Sequence, residues 1–193
     1  MLRRLYDWMM RLAAGPNALP ALGVVAFAES SVFPIPPDAM IVPMVLARPE
    51  RAWAIAAVAT VASVLGGIAG YAIGYYVFAT VGRQIIAAYG YEAEFETFRQ
   101  AYADWGLWII LIKGLTPIPY KLVTIASGAA AFDFPVFLLA SIATRGLRFF
   151  AVAALLRLFG APIREFVERR LTLVTTLFIL AVVGGFVAVK YLI

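Results

Sequence analysis

The sequence predicts an all-α integral membrane protein in which two re-entrant hairpins form an inverted repeat, joined to about three full transmembrane helices and to interfacial amphipathic helices. Three observations lead there. Of the 193 residues, 64% are hydrophobic and the mean hydropathy is +0.92, which excludes an ordinary soluble domain. The apolar run from Gly23 to Ala47 is broken halfway by Glu29, Pro34, Pro36, Pro37 and Asp38. The same break then recurs: a shift of eighty-three positions carries Pro34-Ile35-Pro36 onto Pro117-Ile118-Pro119, Gly23 onto Gly106 and Asp38 onto Lys121, with Lys113 beside the shifted position of Glu29.

The broken run sets the architecture because neither half is long enough. At about 1.5 Å per helical residue, each half falls short of a hydrocarbon core of about 30 Å. Each reaches about the midplane and turns back. Irregular backbone at that depth survives only inside protein or against water, so a hairpin of this kind lines something. Paired interrupted segments in corresponding places point to a site at a repeat interface. One hairpin is acidic (Glu29, Asp38) and the other basic (Lys113, Lys121), with tips at Pro34, Pro36, Pro37, Pro117 and Pro119.

In chain order, Leu2, Leu5, Trp8, Met9 and Leu12 share a helical face while Arg3, Arg4, Asp7 and Arg11 lie elsewhere. That predicts an interfacial helix over 1–14, ended by Gly15-Pro16 and read as retained, since no signal-peptide h-region follows. The acidic hairpin spans 18–47. Arg48-Pro49-Glu50-Arg51 marks a return to water, and 53–81 is a full span carrying Gly66, Gly70 and Gly74 as a ridge for close packing. That ridge suits packing within one subunit or a homo-oligomer face. Residues 82–104 read as a second interfacial helix, with Tyr91, Phe95, Phe98, Tyr102 and Trp105 as an aromatic stripe. The basic hairpin spans 105–131. A full span over 135–159, a short interfacial helix over 161–170 and a last span over 171–190 complete the single membrane domain.

Charge placement orients the chain. Arg3, Arg4, Arg11, Arg48, Arg51, Arg157, Arg164, Arg169 and Arg170 fall on one side, against Arg83, Arg99 and Lys190 on the other. The positive-inside bias puts the N-terminus in the cytoplasm. Within the third span, Arg145 and Arg148 share a face. Arg145 lies eleven residues from Phe134, about 16 Å into the bilayer. A cation at that depth costs at least ~2.5 kcal/mol, so the pair must face protein or water. Glu29, Asp38, Lys113, Lys121, Arg145 and Arg148 are therefore the candidate site, four cations against two acids. An excess of cation suits an anionic phosphate, which guanidinium forks bind bidentately. Asp38 reads either as a cap of the helix after Pro37 or as a site residue. Glu29, an acid in an apolar setting beside cations, is suited to proton exchange, although a purely structural ion-pair network fits the same residues. Cysteine and histidine are both absent; no metal and no cofactor are expected, nor any thiol chemistry. No nucleophile stands with a base at motif spacing, so no enzyme is expected.

An acidic hairpin with a Glu and a Pro-x-Pro-Pro-Asp tip, a Gly-rich span, a basic hairpin ending in Ala126-Ser127-Gly128 and then Arg145-Gly146-x-Arg148 together resemble the DedA superfamily. The likeness is strongest to its YqaA-type branch, which shares the VTT (SNARE-associated) domain, and covers roughly residues 15 to 160. The resemblance implies a bacterial inner-membrane protein with two facing re-entrant hairpins that flips or scrambles lipids such as undecaprenyl phosphate or a phospholipid, with proton coupling in some members. By motif match, Glu29 and Asp38 stand for the family's essential acids, and Lys113 and Lys121 for its basic pair. Many members have Arg at both basic positions with a shorter gap, whereas Lys stands at both here. The partners expected are phosphate-bearing membrane lipids and protons, and no nucleic acid. Two other readings stand beside lipid translocation: a small-ion or small-solute transporter, and a structural membrane assembly factor.

Overall fold

The computed structural model describes residues 13, 15–32, 36–115 and 120–169, and every regular element among them is a helix. In chain order these are α1 (Ala18–Ser31), α2 (Asp38–Ala47), α3 (Ala52–Val77), α4 (Arg83–Tyr89), α5 (Glu92–Leu115), α6 (Tyr120–Ala129) and α7 (Phe134–Arg169). A 3-10 turn, Pro49–Arg51, leads into α3, and a π turn, Phe78–Gly82, joins α3 to α4. The expected interfacial helix over 1–14, apart from Ala13, and the last span over 171–190 lie outside the described residues, as do the tip prolines Pro34, Pro117 and Pro119.

Helix α3 is the axis on which the others are laid. Against α7 it runs antiparallel: Trp53 meets Phe150, Ser63 meets Arg145 and Tyr71 meets Phe134. Against α1 and α6 it runs parallel. Gly66 lies on the Phe27 backbone and Gly70 on the Ser30 carbonyl, while Gly67, Gly70 and Gly74 meet Tyr120, Thr124 and Ile125 in turn. The glycine ridge is thus consumed inside the subunit. A Cβ built on Gly66 would penetrate the Phe27 carbonyl, and one on Gly74 the Ile125 carbonyl; only glycine admits backbones this close.

These directions bring the end of α1 and the start of α6 together beside the middle of α3. Two apolar clusters lie on either side of that meeting point. The first joins Leu22, Ile41, Val45, Ile55, Ala59 and Phe149, and the second Ile110, Tyr120, Val123, Phe137 and Ala140. The buried polar residues Glu29, Ser30, Ser63, Thr124, Ser141, Thr144 and Arg145 belong to neither cluster. The outer surface is apolar, with Val24, Val61, Leu65, Leu139, Leu147 and Leu155 exposed. That pattern suits acyl chains and would be a liability in water.

Two boundaries differ from the sequence expectation. Residues 82–104 do not form one helix. Gly82 keeps right-handed helical backbone (φ −59°), so α4 prolongs the α3 axis, and the break falls at Gly90 instead, where φ is +72°. Hydrogen bonds from Gly90 N–H to Ala87 O (3.3 Å) and from Tyr91 N–H to Ile86 O (3.1 Å) close a Schellman cap. From Glu92 the second half of the segment continues without interruption to Leu115 as α5. The aromatic stripe points both ways: Phe95 stacks on Phe78 at 4.0 Å and Tyr102 meets Phe132 at 5.7 Å, while Tyr91 and Trp105 stay exposed. The second difference is at Pro162, which leaves α7 continuous to Arg169, so no separate helix spans 161–170. A proline removes one i→i−4 bond and leaves the rest of the ladder in place.

Candidate functional site: a buried polar layer between two broken helix pairs

The ends of α1 and α6 satisfy one another. Helix α6 opens at Tyr120, whose backbone N–H is one of the donors a helix N-terminus leaves without a partner. It donates to Glu29 Oε1 at 3.3 Å. In return, Lys121 Nζ donates to Val32 O at 2.9 Å and Thr124 Oγ1 to Ser30 O at 3.0 Å, using carbonyls at the C-terminal end of α1. The negative end of one helix dipole faces the positive end of the other, with an acid and a lysine placed in the stabilising sense at each.

Around this junction a closed ring of hydrogen bonds ties in α3 and α7. Arg145 donates from Nη2 to Glu29 Oε2 at 2.9 Å and from Nε to Ser63 Oγ at 2.7 Å. Ser30 donates to Glu29 Oε2 at 3.1 Å. The Ser30 and Ser63 hydroxyls lie 2.7 Å apart. Since the Ser30 proton is already given to Glu29, Ser63 must donate to Ser30, which makes the ring directional. Arg145 is further sandwiched, with its guanidinium carbon 4.8 Å from the Tyr120 ring centroid and 4.7 Å from that of Phe149. Tyr120 anchors its own ring by donating to Ser141 Oγ at 2.6 Å. The Arg145 and Glu29 side chains are only 3% and 10% exposed. This pair is sealed.

The second pair is open. Arg148 Nη2 donates to Asp38 Oδ2 at 2.6 Å, and the two side chains are 23% and 28% exposed. Asp38 stands in the first turn of α2, whose N-cap position is Pro37. The carboxylate accepts from Arg148 through Oδ2, and its place in the first turn also puts it at the positive end of the α2 dipole. Pro36 is exposed and Pro37 fully buried.

Five of the six expected residues thus meet in one layer: Glu29, Asp38, Lys121, Arg145 and Arg148. The sixth, Lys113, is in α5, and its side chain lies outside the described residues. Sequence reading passed over Ser30, Ser63, Tyr120, Thr124 and Ser141. For Ser63 and Ser141 the signal is periodicity. Ser63 continues the Gly66-Gly70-Gly74 ridge backwards by three residues, and Ser141, Thr144, Arg145 and Arg148 recur at helical spacing as one polar face on an apolar helix. At the outer end of α6, Tyr102 in α5 donates to Val123 O (3.3 Å) and shares a hydrogen bond with Ser127 Oγ (2.8 Å). Burial pushes its phenol up to about 12, so it remains a donor at any physiological pH. No group of acids able to hold a metal ion occurs among the described residues.

Among the described residues, two helices are long and apolar enough to cross a membrane, Pro49–Tyr89 and Phe134–Gly160. With an apolar exterior and the polar groups gathered inside, they define an α-helical integral membrane protein. Residues 33–158 match the VTT domain, and the chain belongs to that family, the DedA/SNARE-associated one. It is 35% identical over 168 residues to an uncharacterized protein of Haemophilus influenzae, covering 85% of this chain and 87% of that one. It is 38% identical over 168 residues to an uncharacterized protein of Histophilus somni, with the same coverage. No solved structure matches the chain at a significant level. Family membership points to a membrane transport or lipid-related role.

Proposed function

We propose that the protein is a lipid translocase of the bacterial inner membrane, moving a phosphate-bearing lipid between two facing re-entrant hairpins, α1–α2 and α5–α6, that form an inverted repeat. The observation that carries this reading is the contrast between the two ion pairs. The Glu29–Arg145 pair is sealed inside a ring that fixes the hairpins to α3 and α7, whereas Asp38–Arg148 is accessible. A phosphate offers the same oxygen geometry as a carboxylate, with more charge, and Arg binds both through its fork. The Asp38 carboxylate therefore holds the position that a headgroup phosphate takes on Arg148, and Lys121, bound to a backbone carbonyl, adds a second cation. Tails stay in lipid against the exposed apolar faces. The directions of the helices agree with this topology: α1 and α6 both run parallel to α3, as they do if one hairpin enters from each side of the membrane. Orientation with the N-terminus in the cytoplasm follows from the arginine bias.

The test is a liposome assay. Protein is reconstituted with a fluorescent phospholipid or prenyl phosphate, and access of the label to an external quencher is followed with and without a pH gradient. Wild type is expected to expose inner-leaflet label, and Arg148→Ala to slow this while remaining folded in the membrane. Wild-type protein that moves no phosphate lipid but takes up a small ion or solute would replace this reading with the solute-transporter one.

A further inference from the structure

A second basic feature lies at the opposite end of α2 from the charged layer. Arg48 follows the last residue of α2, and Arg51 ends the 3-10 turn before α3. Both line a small open pocket whose walls are apolar, formed by Gly15, Leu19, Met44 and Ile55. Arg48 is partly buried and Arg51 exposed. Neither makes an ion pair among the described residues. Glu50 stands between them in sequence but does not line the pocket. The end of the α2 helix dipole accounts for a cation at Arg48, though not for a second one lining the same pocket.

The surroundings fix the depth. Two residues beyond Arg51, Trp53 is 45% exposed, stacks on Phe150 at 6.0 Å and carries the Arg157 guanidinium 5.4 Å from its ring centroid. A half-exposed Trp with an Arg on its face belongs at the level of lipid headgroups. At the far end of the molecule Glu92, Glu94 and Glu96 open α5 and Asp133 precedes α7. Two arginines lining one pocket beside Leu19, Met44 and Ile55 match an anionic amphiphile: guanidinium forks take a phosphodiester and the apolar side chains take the carbons next to it.

We infer that the pocket lined by Arg48 and Arg51 is a binding site for the phosphodiester headgroup of an anionic membrane phospholipid, separate from the Arg148 layer. The inference rests on the protein lying in a membrane and not on its moving lipid.

The test titrates phosphatidylglycerol against the thermal midpoint of purified protein in neutral detergent, with phosphatidylcholine and inorganic phosphate as parallel probes. It is run in wild type and in Arg148→Ala, so that the charged layer is counted separately. Phosphatidylglycerol is expected to raise the midpoint in both backgrounds, and the other two probes to do so far less. In Arg48→Ala/Arg51→Ala the apparent affinity is expected to fall at least about tenfold. Should that variant not fold, Arg48→Lys/Arg51→Lys keeps the charge without the fork and still weakens binding. Equal stabilisation by phosphatidylcholine, equal stabilisation by inorganic phosphate, loss of the effect with Arg148→Ala alone, or unchanged affinity in the Arg48/Arg51 variants would each overturn the assignment.

Discussion

The two ion pairs have the same chemistry and different surroundings, so a double-mutant cycle on each separates what burial does. Glu29→Gln keeps the shape of the side chain and removes its charge, leaving Arg145, 3% exposed, among Tyr120, Phe149 and Ser63 without an anion. Breaking a buried pair in this way costs about 3–5 kcal/mol. Arg145→Met strands the Glu29 carboxylate against the α6 N-terminus at a similar cost. Removing both partners deletes the stranded charge, so the double variant should cost much less than the sum, a coupling of roughly 2–3 kcal/mol. For Asp38→Asn and Arg148→Met, with side chains 28% and 23% exposed, water screens the pair and the coupling should be about 1 kcal/mol or less. The assay is reversible unfolding of detergent-solubilised protein in a denaturing-detergent titration, read by far-ultraviolet circular dichroism. An inner coupling no larger than the outer one would refute the division into a sealed pair and an open pair.

Other substitutions test the layer from different sides. Ser63→Ala leaves Arg145 Nε without its acceptor and should destabilise by about 1–3 kcal/mol, with Ser63→Thr retaining the acceptor; equal midpoints for Ser63→Ala and wild type would dissolve the ring. Gly66→Ala forces a methyl into the Phe27 carbonyl and should abolish folded protein in the membrane fraction, whereas Gly23→Ala, whose Cβ would lie 3.7 Å from Val58, should accumulate normally. Gly90→Ala meets no neighbouring atom and pays only for its left-handed backbone, about 1–2 kcal/mol. The converse exchange, Ala131→Gly at φ +51°, should raise the thermal midpoint.

Charge was the readable part of the site. Glu29, Asp38, Arg145 and Arg148 announce themselves because ionisable groups in apolar stretches must be paired or hydrated, and the repeat of the Pro-x-Pro break placed Lys121 opposite the acidic hairpin. The hydroxyls were harder to see. Serine and threonine sit cheaply in apolar helices by bonding to the carbonyl four residues back, as Ser141 does to Phe137 O at 2.7 Å, so composition gives no reason to single out Ser63 or Ser141. The backbone N–H of Tyr120 has no sequence signature at all, and its bond to Glu29 follows only from the head-to-tail meeting of α1 and α6. Helix ends were misjudged where polarity was taken for a boundary. The segment after Gly82 is polar and still helical, and the real break needed the left-handed conformation that Gly90 supplies. The separate helix expected over 161–170 is likewise the continuation of α7, which runs through Pro162 to Arg169.

The most direct test of the account is the affinity of purified protein for a fluorescent phosphate-bearing lipid in neutral detergent, compared between Asp38→Asn and Arg148→Ala. If Asp38 occupies the place of the headgroup on Arg148, Asp38→Asn binds the lipid as tightly as wild type or more tightly, while Arg148→Ala binds it at least about tenfold more weakly. Equal losses in the two variants, or undiminished binding by Arg148→Ala, would contradict it and leave Asp38–Arg148 as a pair that only holds α2 against α7.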